Sequence, residues 1–170
     1  PVILVTGTNG KGSICAMLEC ILLHAGYQVG LYTSPHLLHY NERIHVNGTA
    51  IDDARLVAAF AKVEAARGDT FLTYFEFGTL AAWEVFAAES LDAIILEVGL
   101  GGRLDATNIY DPACSIVSTI DIDHTEFLGP DRESIGFEKA GIFRQGIPAI
   151  CGDPQPPASI LTQAAVVGSP

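Results

Sequence analysis

Seven residues between an apolar run and a helical repeat constrain this chain more than any other stretch. Val2-Ile3-Leu4-Val5 reads as a short strand buried on both faces. It leads at once into Gly7-Thr8-Asn9-Gly10-Lys11-Gly12-Ser13. From Ser13 to Ala25 apolar side chains then recur at helical spacing (Ile14, Met17, Leu18, Ile21, Leu22), and Gly26 stops the repeat. Strand, glycine-rich turn and helix N-terminus together form a phosphate cradle. The glycines let backbone N–H groups approach an anion, the helix end adds positive potential, and Lys11 reaches the outer phosphates. The common pattern is Gly-x-x-x-x-Gly-Lys-Ser/Thr. Here only two residues separate the first glycines, and Gly12 stands between Lys11 and Ser13. The magnesium-binding hydroxyl that usually follows the lysine is missing.

The remaining chain alternates strands and helices. Gln28–Tyr32 reads as a second strand, and Thr33–Asn47 as a long loop holding Pro35, His36, His39, His45, Glu42 and Arg43. Asp52 caps a helix that runs to about Arg67 and ends at Gly68. Glu76–Ala88 is a second amphipathic helix, with Trp83 assigned to the core. Ala93–Val98 is the clearest buried strand and runs into Gly99, Gly101 and Gly102. Ser115–Ile120 leads to Asp121-Ile122-Asp123-His124. Ser134–Phe143 reads as a helix and Ile147–Cys151 as a last strand. The prolines at 154, 156 and 157 then break the pattern, so residues 153–170 are expected to be a poorly ordered tail after a domain spanning 1–152. This alternation predicts an α/β fold, a mostly parallel sheet with helices on both faces. Ligands of such sheets sit beyond the carboxyl ends of the strands, where every unusual segment of this chain falls.

Composition narrows the function. Twenty acidic residues face nine basic ones, a formal charge of −11. That excess argues against nucleic acid and anionic membranes as partners, since both call for clustered Lys and Arg. No apolar run reaches the ~20 residues of a membrane span. The start carries no signal-peptide pattern. Cys15, Cys20, Cys114 and Cys151 are scattered, with no CxxC pair. Reduced thiols in the cytoplasm are the expectation. Pro1 is not a natural translation start, and the chain is expected to belong to something longer.

Further segments accompany the loop. They are Ser34-Pro35-His36-Leu37 with Asn41-Glu42-Arg43-Ile44, then Thr73-Tyr74-Phe75-Glu76-Phe77-Gly78-Thr79. Glu97-Val98-Gly99-Leu100-Gly101-Gly102-Arg103-Leu104-Asp105-Ala106-Thr107-Asn108 follows. Asp123-His124-Thr125 and Glu138-Lys139-Ala140-Gly141-Ile142 complete the set. The loop resembles the ATP loop of the Mur ligase superfamily. The whole set, over about Val2 to Cys151, is similar to its folate branch, the dihydrofolate and folylpolyglutamate synthases.

The resemblance implies a P-loop NTPase-like central domain, present in part. It implies amide ligation: ATP converts a pterin-linked carboxylate to an acyl phosphate, which the amino group of L-glutamate attacks. The pterin substrate would be dihydropteroate or a reduced folate. ATP would lie on Gly7 to Ser13, with two Mg2+ sites expected. Ser34, Glu97 and His124 would ligate metal. Glu97 suits a hard cation by its oxygens; His124 is a less natural magnesium donor. Lys11, Lys139 and His124 would be catalytic, with Lys139 carbamylated into an anionic oxygen donor. Thr73, Tyr74, Phe75, Glu76, Leu104, Asp105 and Ala106 would contact the pterin. Arg43 is expected to pair with a carboxylate, either the substrate's or that of Glu42 or an Asp. Family members are two to three times longer, with a C-terminal domain that this chain lacks. Independent turnover by these residues is therefore not expected. A cytoplasmic monomer is expected. Two rivals stand: a Mur-type ligase of cell-wall precursors, and a nucleotide-binding module that does not ligate.

Overall fold

The computed structural model describes all residues from Pro1 to Pro170. Seven strands form one sheet: β1 Val2–Thr6, β2 Val29–Tyr32, β3 Ile44–Val46, β4 Thr49–Ala50, β5 Ala93–Glu97, β6 Cys114–Val117 and β7 Ala149–Cys151. Their spatial order is β4-β3-β2-β5-β1-β6-β7. The five strands from β2 to β7 in that order are parallel, and β3 and β4 add an antiparallel edge. Successive residues of β1 point to opposite faces, so the strand feeds two cores. Val5 joins Cys15, Val29, Leu31 and Ile95 beneath helix α1, Lys11–His24. Val2 and Leu4 join the larger core under α2 Asp53–Arg67, α3 Tyr74–Ala87 and α5 Arg132–Ala140. Helices thus cover both faces, with α1 against the smaller core. No helix is long and apolar enough to cross a membrane.

The helix boundaries follow their caps. Asp52 accepts the Arg55 N–H at 2.8 Å, and Gly68 ends α2 at φ 54°. Thr73 and Glu76 form a reciprocal capping box that opens α3 two residues earlier than apolar spacing predicts. Within the expected loop 33–47, residues Tyr40–Arg43 make a 3-10 turn, and β3 begins at Ile44. The strand has three residues and no full period, so pattern alone does not reveal it. Met17 and Ile21 fit the helical spacing of α1 but are each 63% exposed, while Cys15 is fully buried.

The proline-rich tail is ordered. After a short helix α4, Thr125–Leu128, comes α5, and Ala158–Val167 forms α6 packed on it. Both oxygens of Glu133 accept N–H groups at the start of α6, from Ala158 and Ser159, at 2.9 and 2.8 Å. Arg132 pairs with Asp153 at 2.9 Å, and Ile160 is buried. Pro157 therefore starts a helix whose cap comes from 25 residues upstream, a partner invisible to local pattern.

Candidate functional site at the carboxyl edge of the sheet

Gly7–Ser13 leaves β1 and turns into α1 at Gly10, whose φ is 81°. The loop is braced by the end of β6. Thr8 N–H donates to the Thr119 carbonyl at 2.7 Å, and Ser118 Oγ to the Asn9 carbonyl at 2.6 Å. Gly7 must lack a side chain, because a Cβ there would collide with Ser118 Oγ. Lys11 Nζ folds back to the Gly7 carbonyl at 2.9 Å. Thr6 Oγ1 donates to the Gly101 carbonyl at 2.5 Å, which ties the phosphate loop to the glycine-rich turn after β5. Ser118, Thr119 and Thr6 were absent from the expected site. Their signal was a run of small hydroxyl residues at the ends of strands that otherwise read as apolar.

Glu97 closes β5 and is 5% exposed. Its Oε2 accepts the Ser34 N–H at 3.0 Å and faces Gly12. Burial raises its pKa, partly opposed by the Ser34 N–H and Lys11. A buried carboxylate with one neutral hydrogen bond and a spare oxygen invites a cation. The Ser34 hydroxyl stands on the same backbone that holds Glu97. Hard oxygen donors fit magnesium. His124 lies on the loop after β6 in a left-handed conformation, φ 49°, beside Asp123 at 3.5 Å. No hydrogen bond joins it to Glu97 or Ser34, and no three His, Cys, Asp or Glu side chains gather as a metal cluster.

Lys139 is 3% exposed on α5. Burial, helped by Lys11 and opposed by Asp123, lowers its pKa to about 8. The side chain of this buried lysine makes no ion pair or hydrogen bond, and its lowered pKa gives it more free amine at neutral pH than an ordinary lysine has.

Between the start of α3 and the turn after β5 lies a cavity of about 340 Å3. Thr73, Phe75, Glu76, Leu104, Asp105 and Ala106 line it, joined by Leu100, Phe127, Leu128 and Glu138. Tyr74 does not. It points to the opposite side of α3, where it stands edge-on to Tyr40 at 5.8 Å. Adjacent residues at a helix start diverge by about 100°, so the pterin-side run cannot all face one cavity. Phe75 rests on Gly99 and lies 5.9 Å from Tyr32. Asp105 accepts the N–H groups of Leu100 and Thr107 and the Thr107 hydroxyl, and burial raises its pKa. Arg43 pairs with no carboxylate. Its Nε donates to His36 Nδ1 at 2.8 Å, while Glu42 is occupied by the N–H groups of Leu37, Leu38 and His39.

A family model for the Mur ligase middle domain matches residues 5–150. The chain belongs to the Mur ligase middle-domain family. This Mur ligase middle domain is 56% identical over 168 residues to the dihydrofolate synthase/folylpolyglutamate synthase of Escherichia coli (strain K12), covering 99% of this chain and 40% of that protein. It superposes on E. coli FolC in complex with DHPP and ADP with a TM-score of 0.98, at 56% identity, over 99% of this chain and 41% of that one. A bifunctional folylpolyglutamate synthase/dihydrofolate synthase with Mn, AMPPNP and L-glutamate bound matches with a TM-score of 0.96, at 55% identity, over 99% and 42%. The chain thus spans about two fifths of the length of these relatives.

Proposed function

We propose that a protein carrying this chain is an ATP-dependent carbon–nitrogen ligase that joins L-glutamate to dihydropteroate and extends folates with further glutamates. One observation carries this: a ring-sized cavity holding Phe75 and Asp105 shares a sheet edge with a phosphate loop, a buried carboxylate and a buried lysine. Relatives named for both activities, more than half identical, support the folate substrate over a cell-wall precursor. Phe75 offers an aromatic face to a pterin, and Asp105 acceptor oxygens to its ring N–H groups. Leu100 lines the cavity and the next residue, Gly101, accepts the Thr6 hydroxyl, so cavity and phosphate loop share the turn after β5, across which the benzoyl carboxylate of a bound pteroate would reach the nucleotide.

That carboxylate attacks the γ-phosphorus, and the bond to the leaving ADP breaks. The glutamate amine then adds to the acyl carbon, and phosphate departs as the amide forms. Backbone N–H groups from Gly7 to Ser13 and the Lys11 ammonium hold the phosphates. Ser34 and Glu97 would hold one magnesium ion, His124 and a carbamylated Lys139 a second. Bound there, magnesium neutralises phosphate charge. We place the enzyme in the cytoplasm, in keeping with four free cysteines, and read it as a monomer. A coupled assay on the full-length protein tests this: ADP release should require both a pteroate and glutamate. Release driven by a UDP-muramoyl compound instead would overturn the substrate, and release indifferent to glutamate would overturn ligation.

A further inference from the structure

Arg43 is a buried cation without a counter-ion. It is 8% exposed and takes part in no ion pair. Its guanidinium lies 5.2 Å from the ring centre of Tyr40 and 5.4 Å from that of Tyr74. Its Nε donates to His36. A desolvated charge in such a place needs each of these contacts. Tyr40 in turn packs edge-on against Phe60 of α2 at 5.3 Å, and its hydroxyl lies where a side chain at Gly78 of α3 would be. Only glycine at 78 lets the ring sit against the helix. The segment from Ser34 to Arg43 is therefore clamped to α2 and α3 by one charge and three rings. At its other end, Ser34 N–H holds Glu97.

We infer that Arg43 is a positioning residue. It fixes the Ser34–Arg43 segment on the start of α3, and so holds the Ser34 backbone against Glu97 in a geometry that presents the Ser34 hydroxyl and the free Glu97 oxygen together. Arg43 acts through this segment and touches neither substrate nor nucleotide. Its long, forked side chain is required: Nε donates to His36 while the guanidinium carbon stays 5.2 and 5.4 Å from the two ring centres. A lysine keeps the charge over the rings but cannot do both.

The test uses the full-length protein with Arg43→Met, Arg43→Lys and Tyr74→Leu, and has two independent readouts. Hydrogen exchange should accelerate about tenfold or more at residues 34–43 in Arg43→Met, with β1 and β5 unchanged. The affinity for Mn2+ with a non-hydrolysable nucleotide should fall about tenfold, and kcat with it, while the KM for pteroate moves less than threefold. Arg43→Lys should lie between Met and wild type on both readouts. If Arg43→Met fails to fold, Tyr74→Leu carries the same expectations. Wild-type exchange at 34–43 in whichever of these two variants folds would overturn the inference. So would a tenfold rise in pteroate KM with unchanged exchange, which would make Arg43 a substrate contact. The activity arm rests on the ligase reading above. A wild-type protein without pteroate-dependent ADP release would refute that reading, and exchange and Mn2+ binding would still decide on Arg43.

Discussion

Lys139 and Glu97 are both charged groups that the fold keeps dry, and each carries a measurable cost. A lysine whose folded pKa lies near 8 against an ordinary 10.5 penalises the folded state wherever it must be protonated. The shift corresponds to about 3 kcal/mol. Below pH 8 that penalty is constant; it fades as pH rises from 8 to 10.5, so stability from this group increases with pH. In buffer free of carbon dioxide, Lys139→Met should therefore melt higher than wild type at pH 7, and the gap should close by pH 10.5. Thermal melts across that range measure it, and a gap independent of pH would refute the burial argument. Glu97→Gln keeps the shape and the Ser34 hydrogen bond acceptor but removes the charge. Activity should fall about 100-fold or more with Mn2+ affinity, and stability should hold or rise, since an amide is cheaper to bury than a carboxylate. The strand, glycine-rich turn and helix of Gly7–Ser13 were legible because that geometry is local; Ser34 and Glu97 were expected together from the family resemblance, and the structure places the Ser34 N–H 3.0 Å from Glu97. Tyr74 and Arg43 were not legible. Their contacts come from a 3-10 turn and a helix over thirty residues apart, and only the packing decides which way each side chain faces.

Caps rather than apolar spacing set the ends of the helices, and two of them serve the site. The Thr73–Glu76 box begins α3 at the wall of the ring-sized cavity. Thr73→Ala should cost about 1 kcal/mol. It should also raise the pteroate KM, because the first turn that positions Phe75 loosens. Chemical denaturation and steady-state kinetics read the two effects separately. Glu42 plays a similar part for the turn before β3, where three N–H groups hold its pKa down at about 2. Its contribution is present above pH 4.5 and is lost as pH falls toward 2. The strands β1, β2, β5 and β6 were readable as buried apolar runs, and α2 from its Asp52 cap and Gly68 stop. The edge pair β3 and β4 was not, because two- and three-residue strands hold no period. Helix α6 escaped notice because its cap is Glu133, on another helix.

At the level of the whole molecule, parallel order is what makes the site. Strands β1, β2, β5 and β6 end on one edge, so four loops far apart in sequence meet there. The alternation of strands and helices in the sequence carries that architecture. It does not show that the last thirteen residues belong to that fold. Ile160 is 2% exposed between α6 and the larger core. Ile160→Ala should cost about 2–4 kcal/mol, a loss that an unstructured tail would not show. Urea titration measures it.

The hydrogen bonds that brace the phosphate loop join residues 109 and 113 positions apart, Asn9 to Ser118 and Thr8 to Asp121. Closing such long loops is slow, because their entropy is lost before the contacts form. The phosphate loop is thus encoded about a hundred residues before the segment that braces it, and is expected to be assembled only after β6 has docked. During synthesis the glycine-rich loop would emerge about a hundred residues ahead of the Ser118–Asp121 wall on which it rests. On refolding, nucleotide affinity should return later than helical signal, and a nucleotide present from the start should not hasten the first phase.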